Sequence, residues 1–289
     1  MFELRRLRLL HELSLRGTIA AVAQALSFSP STVSQQLSLL EREAGVALFE
    51  PDGRRVRLTA HGEQLARHAA EALALDERAV AALAQPQSAA VRIAVMPTAA
   101  EVLVPRALTL LADRAPELRV EMVELAPEEA LFELRARGFD LIVAEQYPGF
   151  WRELHTDLHR TVLGRDPVRL AVPPDDEATT IRDLADHAWV LEPRGAAVRE
   201  WAVQQCRAAG FEPDVRFEAT DLIAHARLVA AGHAVALLPD LVWGAVDADV
   251  RLVDLPGHPV REIFAATRSG SRADPAIMAI RTALADALG

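Results

Sequence analysis

No lysine occurs in the 289 residues; all 31 basic side chains are arginine, and about one residue in five is alanine. That bias is typical of a GC-rich coding sequence, so arginine abundance alone is weak support for nucleic-acid binding. The single cysteine, Cys206, excludes an intramolecular disulfide and fits a reducing cytoplasm. It also leaves no cysteine pair to hold a metal. No apolar run reaches the roughly 18 residues that a membrane-spanning helix needs. The opening MFELRRLRLLHEL is basic, but Glu3, His11 and Glu12 break any leader-like apolar stretch. No glycine-rich phosphate loop is present. The nine histidines are mostly scattered; His155 and His159 are four apart, in Asp/Arg-rich sequence without a third ligand. Cys206 lies near Ala202 and Val203 on a predicted helix and reads as buried filler rather than a nucleophile. These absences weigh against an enzyme, a metalloprotein and a membrane protein, and no cofactor is expected.

What is present is a chain that is 51% hydrophobic and 25% charged, long enough for two domains. Its net charge of −10 is uneven. Through Ala60 there are eight Arg against six acidic residues, whereas the remainder has 23 against 35. A mildly basic head on an acidic body implies that the head alone approaches a polyanion.

Residues 1–59 read as three short helices and a hairpin. Leu4, Leu7, Leu10 and Leu13 recur at helical spacing, and Gly17-Thr18 ends that helix and caps the next. Ile19–Leu26 carries Ile19, Val22, Ala23 and Leu26 on one face, and Ser27-Phe28-Ser29 makes a tight break. Ser29 is a good N-cap, Pro30 suits the first helical position, and Val33, Leu37 and Leu40 form an apolar stripe. Gly45 stands where a left-handed C-cap belongs. Around the turn Pro51-Asp52-Gly53, Val56 and Leu58 alternate with arginines, which predicts a two-stranded wing.

Residues 60–85 read as one helix. Leu65, Ala69, Ala72, Leu75 or Asp76, Ala79 and Leu83 lie near a 3.5-residue repeat, and a narrow seam of that kind asks for a partner helix. Pro86-Gln87-Ser88 then breaks the chain. From Ala90 strands alternate with helices, the signature of a parallel α/β sheet. Predicted strands include Val91–Met96, Arg119–Glu124, Asp140–Ala144, Val168–Val172, Trp189–Leu191, Val215–Glu218, Ala234–Leu238 and Ile263–Ala266. Two open sheets joined by crossovers would place a ligand cleft at the carboxyl ends of strands.

The most specific signal is TIAAVAQALSFSPSTVSQQLSLLERE, from Thr18 to Glu43. A helix-turn-helix needs small residues where two helices cross, here Ala20, Ala21 and Ala23. It also needs short polar side chains near the start of the second helix, here Ser31, Thr32, Ser34, Gln35 and Gln36. Gln pairs bidentately with adenine in the major groove, and Ser or Thr reaches a base edge or a phosphate.

Residues 1–85 resemble the DNA-binding head and linker helix of LysR-type transcriptional regulators. The likeness rests on SFSPSTVSQQLSLLERE, on GVALFEPDGRRVRLTAHGE and on the long helix after it. The body, including LVAAGHAVALLPDLV, is similar to that family's effector domain. The resemblance implies a winged helix-turn-helix over 1–59, a dimerisation helix and hinge over 60–87, and a periplasmic-binding-protein-like effector domain over 88–289. Its subdomains would span about 88–163 with 263–289, and about 164–262. It further implies double-stranded operator DNA, a small-molecule effector and a second copy of the chain as partners, in homodimers and often tetramers. Arg54 and Arg55 match the family's wing and would clamp phosphates or enter the minor groove. Gln35 and Pro51-Asp52 depart from its usual residues.

The resemblance also places three strand-to-helix turns around the cleft: Thr98-Ala99, Arg194-Gly195-Ala196 and Thr220. Glu145 faces the same space. Backbone N–H groups at such turns favour anions, and Arg194 suits a carboxylate. An organic acid or amino acid is therefore the expected effector, although Thr98 and Thr220 fit plain N-caps equally well, and Arg194 a structural role. Phe150 and Trp151 would line a wall or pack in the core. The rival reading is a solute-binding receptor, supported by the α/β body alone.

Overall fold

The computed structural model describes residues 2–53, 55–83, 90–149 and 157–289. Arg54, the break at 86–88, Phe150, Trp151 and His155 lie outside the described residues.

The head forms as its local signals dictate. Helix α1 (Leu4–Arg16) buries Leu7, Leu10 and Leu13 and stops at Gly17. Helix α2 (Ile19–Ala25) starts at Thr18, whose hydroxyl accepts from the Ala21 N–H at 3.1 Å. Ser27 takes φ 55° in the turn that follows. Helix α3 (Pro30–Ala44) is capped by Ser29, which accepts from the Thr32 N–H at 3.1 Å. Its stripe of Val33, Leu37 and Leu40 is fully buried. Gly45 ends it at φ 69°, a conformation that costs an L side chain about 1–2 kcal/mol. Strands β1 (Phe49–Asp52) and β2 (Arg55–Leu58) pair antiparallel, with Asp52 opposite Arg55. In β2, Arg55 and Arg57 are exposed while Val56 and Leu58 turn inward.

Helix α4 (Ala60–Leu83) divides the expected seam between two environments. Its first half lies along α1 of the same chain: Ala66, Ala69 and Leu73 are buried, and Leu65 and Ala72 pack against the head's core. Farther along, Leu75, Val80 and Leu83 are 60%, 61% and 84% exposed. That second half therefore carries an apolar face that its own chain leaves exposed.

The body departs from an all-parallel sheet. Strand β3 (Ala90–Val95) is parallel to β4 (Arg119–Glu124) and β5 (Leu141–Gln146). Two long strands, β6 (Leu158–Val172) and β11 (Val260–Arg268), are antiparallel to each other, and β11 is antiparallel to β5. The far end of β6 pairs antiparallel with β9 (Ala236–Pro239) and β10 (Arg251–Val253). Strands β7 (Ala188–Leu191) and β8 (Asp214–Glu218) form a separate parallel pair. Reading β6 from Val168 missed its first ten residues, because His159, Arg160, Arg165 and Asp166 hide its strand character. Two of these charges are met across the sheet, in the Arg160–Glu262 and Asp166–Arg261 pairs.

Helices cover both faces: α5 (Val104–Arg114) after a π-helical turn at Ala99–Leu103, α6 (Pro127–Arg135), α7 (Ala197–Ala208), α8 (Leu222–Ala230) and α9 (Pro275–Leu288). One core gathers around β3, β5, α5 and α9, with Leu103, Ile277 and Ile280 buried. Another surrounds Trp189 and Trp201 between β6, β7 and α7. The paired strands β6 and β11 run from the first core towards the second, leaving a cleft alongside them.

Candidate nucleic-acid interface and ligand cleft

On α3 the five predicted contact residues are not equally available. Ser34 and Gln35 are exposed with no side-chain hydrogen bond among the described residues. Ser31 is exposed, but its hydroxyl lies 2.8 Å from Ser29 Oγ, as does that of the half-buried Thr32. Gln36 accepts from Arg6 Nε at 3.1 Å, and Arg6 also pairs with Glu43 and Glu3. The amide of Gln36 is thus held against α1, and Gln35 is the long polar side chain left to project. In the wing Arg55 is exposed, whereas Arg57 pairs with Glu50. Arg5, not singled out from sequence, lies over the Phe28 ring at 4.9 Å beside the inter-helix turn.

The cleft of the body is a cavity of about 460 Å³. It is lined by Thr98, Glu145, Arg194, Gly195, Ala196 and Thr220, so six of the seven expected ligand residues meet there. Ala99 does not. It is fully buried in the neighbouring core, and its N–H is taken by the Met96 carbonyl at 3.0 Å. Neither threonine is an N-cap by its side chain. Asp221 caps α8 through the Ile223 N–H at 2.7 Å, leaving Thr220 exposed. The hydroxyl of Thr98, 1% exposed, accepts from Arg261 Nη2 at 2.9 Å.

Arg261, on β11, is the centre of the cleft and went unread in the sequence. It is 2% exposed and donates Nε to Asp166 Oδ2 at 2.9 Å. Its Nη1 lies 3.9 Å from Glu145 Oε2. Asp166 also accepts from the Leu241 N–H at 3.0 Å, the geometry of an ionised, hydrogen-bonded pair. Burial alone would weaken the proton's hold on Arg261, but Tyr147, Asp166 and Glu145 outweigh it and raise the pKa. Glu192 lines the same end of the cavity, and burial, with Glu145 adding to it, pushes its carboxyl up to about 7. Arg194 is exposed at the rim.

A larger hollow of about 910 Å³ lies where α1, α4 and the body meet, lined by His11, Gly17, Arg67, Arg135 and Asp157 among others. It is a gap between packed units. Arg135 and Asp157 already pair at 3.0 Å across its wall.

Head, linker and body are tied by charge. Arg16 of α1 pairs with Glu12 at 2.9 Å and reaches Glu133 of α6 at 3.3 Å. Glu77 of α4 takes Arg268, the last residue of β11, at 2.6 Å, and also pairs with Arg137. A Cβ on Gly270 would come within 2.5 Å of the Ala74 carbonyl oxygen, so glycine lets the chain after β11 lie directly on α4. One strand therefore spans from the cleft, at Arg261, to the linker helix, at Arg268.

Among the described residues no group of three or more His, Cys, Asp or Glu is placed to hold a metal, and no helix is long and apolar enough to cross a membrane. Cys206 is fully buried, and burial pushes its thiol up to about 12.

Residues 4–63 match the family profile described as bacterial regulatory helix-turn-helix protein, lysR family, and residues 84–289 match the LysR substrate binding domain. The transcriptional dual regulator GltC of Bacillus subtilis (strain 168) is 30% identical over 246 residues, 82% of this chain and 81% of that protein. The hydrogen peroxide-inducible genes activator of Pectobacterium carotovorum subsp. carotovorum is 28% identical over 228 residues, 76% of this chain and 74% of that one. Among solved structures, a full-length OxyR variant from Pseudomonas aeruginosa shares the fold at a TM-score of 0.70 and 21% identity, covering 98% of this chain and 95% of that chain. A solute receptor does not account for the match over residues 4–63.

Proposed function

The chain belongs to the LysR family of transcriptional regulators, and from that premise we propose that Gln35 and Ser34 of α3 read bases in the major groove. Ser31 and Thr32 then contact the duplex near the helix start, and Arg55 meets the backbone from the wing. The observation that carries this is the capped start of α3: from Pro30 to Leu40 its solvent face offers short polar groups and Gln35, with no carboxylate. Thr98, Glu145, Arg194, Gly195, Ala196 and Thr220 hold a small-molecule effector in the cleft. The exposed Leu75, Val80 and Leu83 of α4 meet a second copy of the chain, which supplies the second half-site reader. The protein works in the cytoplasm by binding rather than catalysis.

Differential affinity of the ligand for two cleft openings is the energy source for regulation. β11 supports a route for that bias, since it carries Arg261 at one end and grips Glu77 of the linker helix at the other. Peroxide sensing, which the names of some relatives would suggest, has the buried, high-pKa Cys206 against it.

Selection from a random duplex library by the full chain tests the reading. The expected product is a motif with two related half-sites about one or two helical turns apart. Recovery of no enriched motif from repeated rounds contradicts it.

A further inference from the structure

One short helix belongs to both the cleft and the head. The first turn of α6 is cavity wall, through Pro127, Glu128 and Glu129. Its last turn meets the head, through Phe132 and Glu133. We propose that α6 links the effector cleft directly to the DNA-reading head of the same chain, with Glu133 and Arg16 as the positioning residues that join the two. The proposal rests on the readings above that the cleft takes the effector and that α3 reads DNA.

The helix is seated so that it moves as one piece. Its nine residues make it about 13 Å long. Ala130 and Leu134, both fully buried, fix it on the core formed with β3, β5 and β11. A shift at the cleft end therefore reaches the far end instead of being absorbed on the way.

The contact with the head is anchored on both sides. Arg16 Nη1 and Nη2 donate to the two carboxylate oxygens of Glu133 at 3.3 and 3.4 Å, a paired fork with a fixed direction. The guanidinium also lies over the Phe132 ring at 5.4 Å. Its Nε donates to Glu12 at 2.9 Å. Glu12 is fully buried, and its other oxygen has no hydrogen-bond partner among the described residues. Arg16 cannot swing away without stranding that carboxylate. An ion pair between two free surface side chains transmits little; this one is held. On the side of α6, the Gly138 N–H donates to the Glu133 carbonyl at 2.8 Å. A Cβ on Gly138 would stand 2.6 Å from Glu133 Oε2, so glycine leaves the carboxylate room to face Arg16.

What Arg16 holds is the root of the reading surface. The carbonyl of Gly17 accepts from the Val56 N–H of the wing at 2.9 Å, and Thr18 caps α2. Three consecutive residues thus carry the body contact, the wing and the start of the helix-turn-helix. β11, by contrast, reaches the linker helix at Glu77. Arg137, just past α6, pairs with the same Glu77, so this end of α6 touches the linker as well as the head.

Hydrogen–deuterium exchange of the full chain, free and bound to its selected operator duplex, tests the link without an effector, because coupling between two sites is reciprocal. Operator binding should slow exchange over residues 18–40. It should also slow residues 127–138 by about fivefold or more, the low end of a coupling between sites. Glu133→Gln removes the charge that grips Arg16, and Gly138→Ala displaces the carboxylate while keeping both charges. Each variant should retain protection of the head and lose most of the slowing over α6, with the tryptophan unfolding midpoint unchanged. A shifted midpoint with the α6 response intact would make Glu133 merely structural and overturn the link. So would an unchanged α6 in the wild type, slowing confined to residues 132–138, or equal slowing in both variants; in each case the DNA and cleft readings stand. No protection over residues 18–40 would overturn the DNA reading and the link with it.

Discussion

In the head each helix boundary is set by a neighbour in sequence: Thr18 caps α2, Ser29 caps α3 and Gly45 ends it. In the cleft the central arginine meets Asp166 and Thr98 from 95 and 163 positions away. The head's core is built on the apolar Leu10, Val22, Leu37 and Leu40, with His11 and Glu12 buried on the same helix α1, whereas the cleft is organised by a buried cation among carboxylates. A surface that reads a polyanion needs rigid support and an exposed polar face. A switchable binding site needs charge held away from water, where small changes of geometry carry large energies.

That contrast predicts different costs for single substitutions. Removing Arg261 leaves Asp166 buried without its partner, so Arg261→Ala should destabilise the body by about 3–5 kcal/mol, with much of the loss recovered in Arg261→Met/Asp166→Leu. Urea unfolding followed by tryptophan fluorescence measures this cleanly, because all four tryptophans (Trp151, Trp189, Trp201 and Trp243) lie in the body. A loss under about 1 kcal/mol would show the pair to be energetically idle. In the head, Leu37→Ala opens an apolar cavity and should cost about 2–5 kcal/mol. It should abolish DNA binding while the tryptophan transition stays within experimental error; a shift of that transition as large as that of Arg261→Ala would erase the distinction.

The junction between the regions has its own pH signature. Burial, with the Arg137 charge adding to it, lowers His11 to about 4. The unfolded chain therefore takes up a proton near pH 6.5 that the folded chain refuses until about 4. Stability is complete above about 6.5 and falls by up to roughly 3 kcal/mol as the pH drops through that window. His11→Gln should flatten the acid limb of a melting-temperature profile measured from about pH 7 to 4; an unaltered limb would assign it to other groups. A smaller effect is expected at the clamp on α4. Glu77→Ala should leave cleft binding in place but diminish the ligand-induced change in operator affinity, normally about 1–3 kcal/mol for allosteric coupling. Anisotropy titrations with and without a stabilising ligand report it, and full coupling in the variant would exclude β11 as the route.

Much of this was legible before any coordinates. The caps, the helix-turn-helix, the wing and most body strands follow from residues adjacent in sequence, whereas the place of the strand-to-helix turns around the cleft came from the family resemblance. What lay hidden was long-range. Arg261 looks like a surface residue in PVREIF, because nothing near it in sequence announces Asp166 or Thr98. The first ten residues of β6 carry charges that only the partner strand explains. Leu65 and Ala72 looked like a seam for another chain until the fold laid α1 against them. Gln36 looked as free as Gln35, and only the packing of α1 on α3 brings Arg6 to it.

The division of labour between head and cleft is tested most directly at Gln35. Binding of the full chain to its selected operator and to an unrelated duplex of the same length should be titrated for wild type and Gln35→Ala. The account predicts a loss of about 1–3 kcal/mol on the operator and little on the unrelated duplex, which narrows the preference between the two. An unchanged preference, or an equal loss on both duplexes, would contradict the claim that α3 reads the sequence.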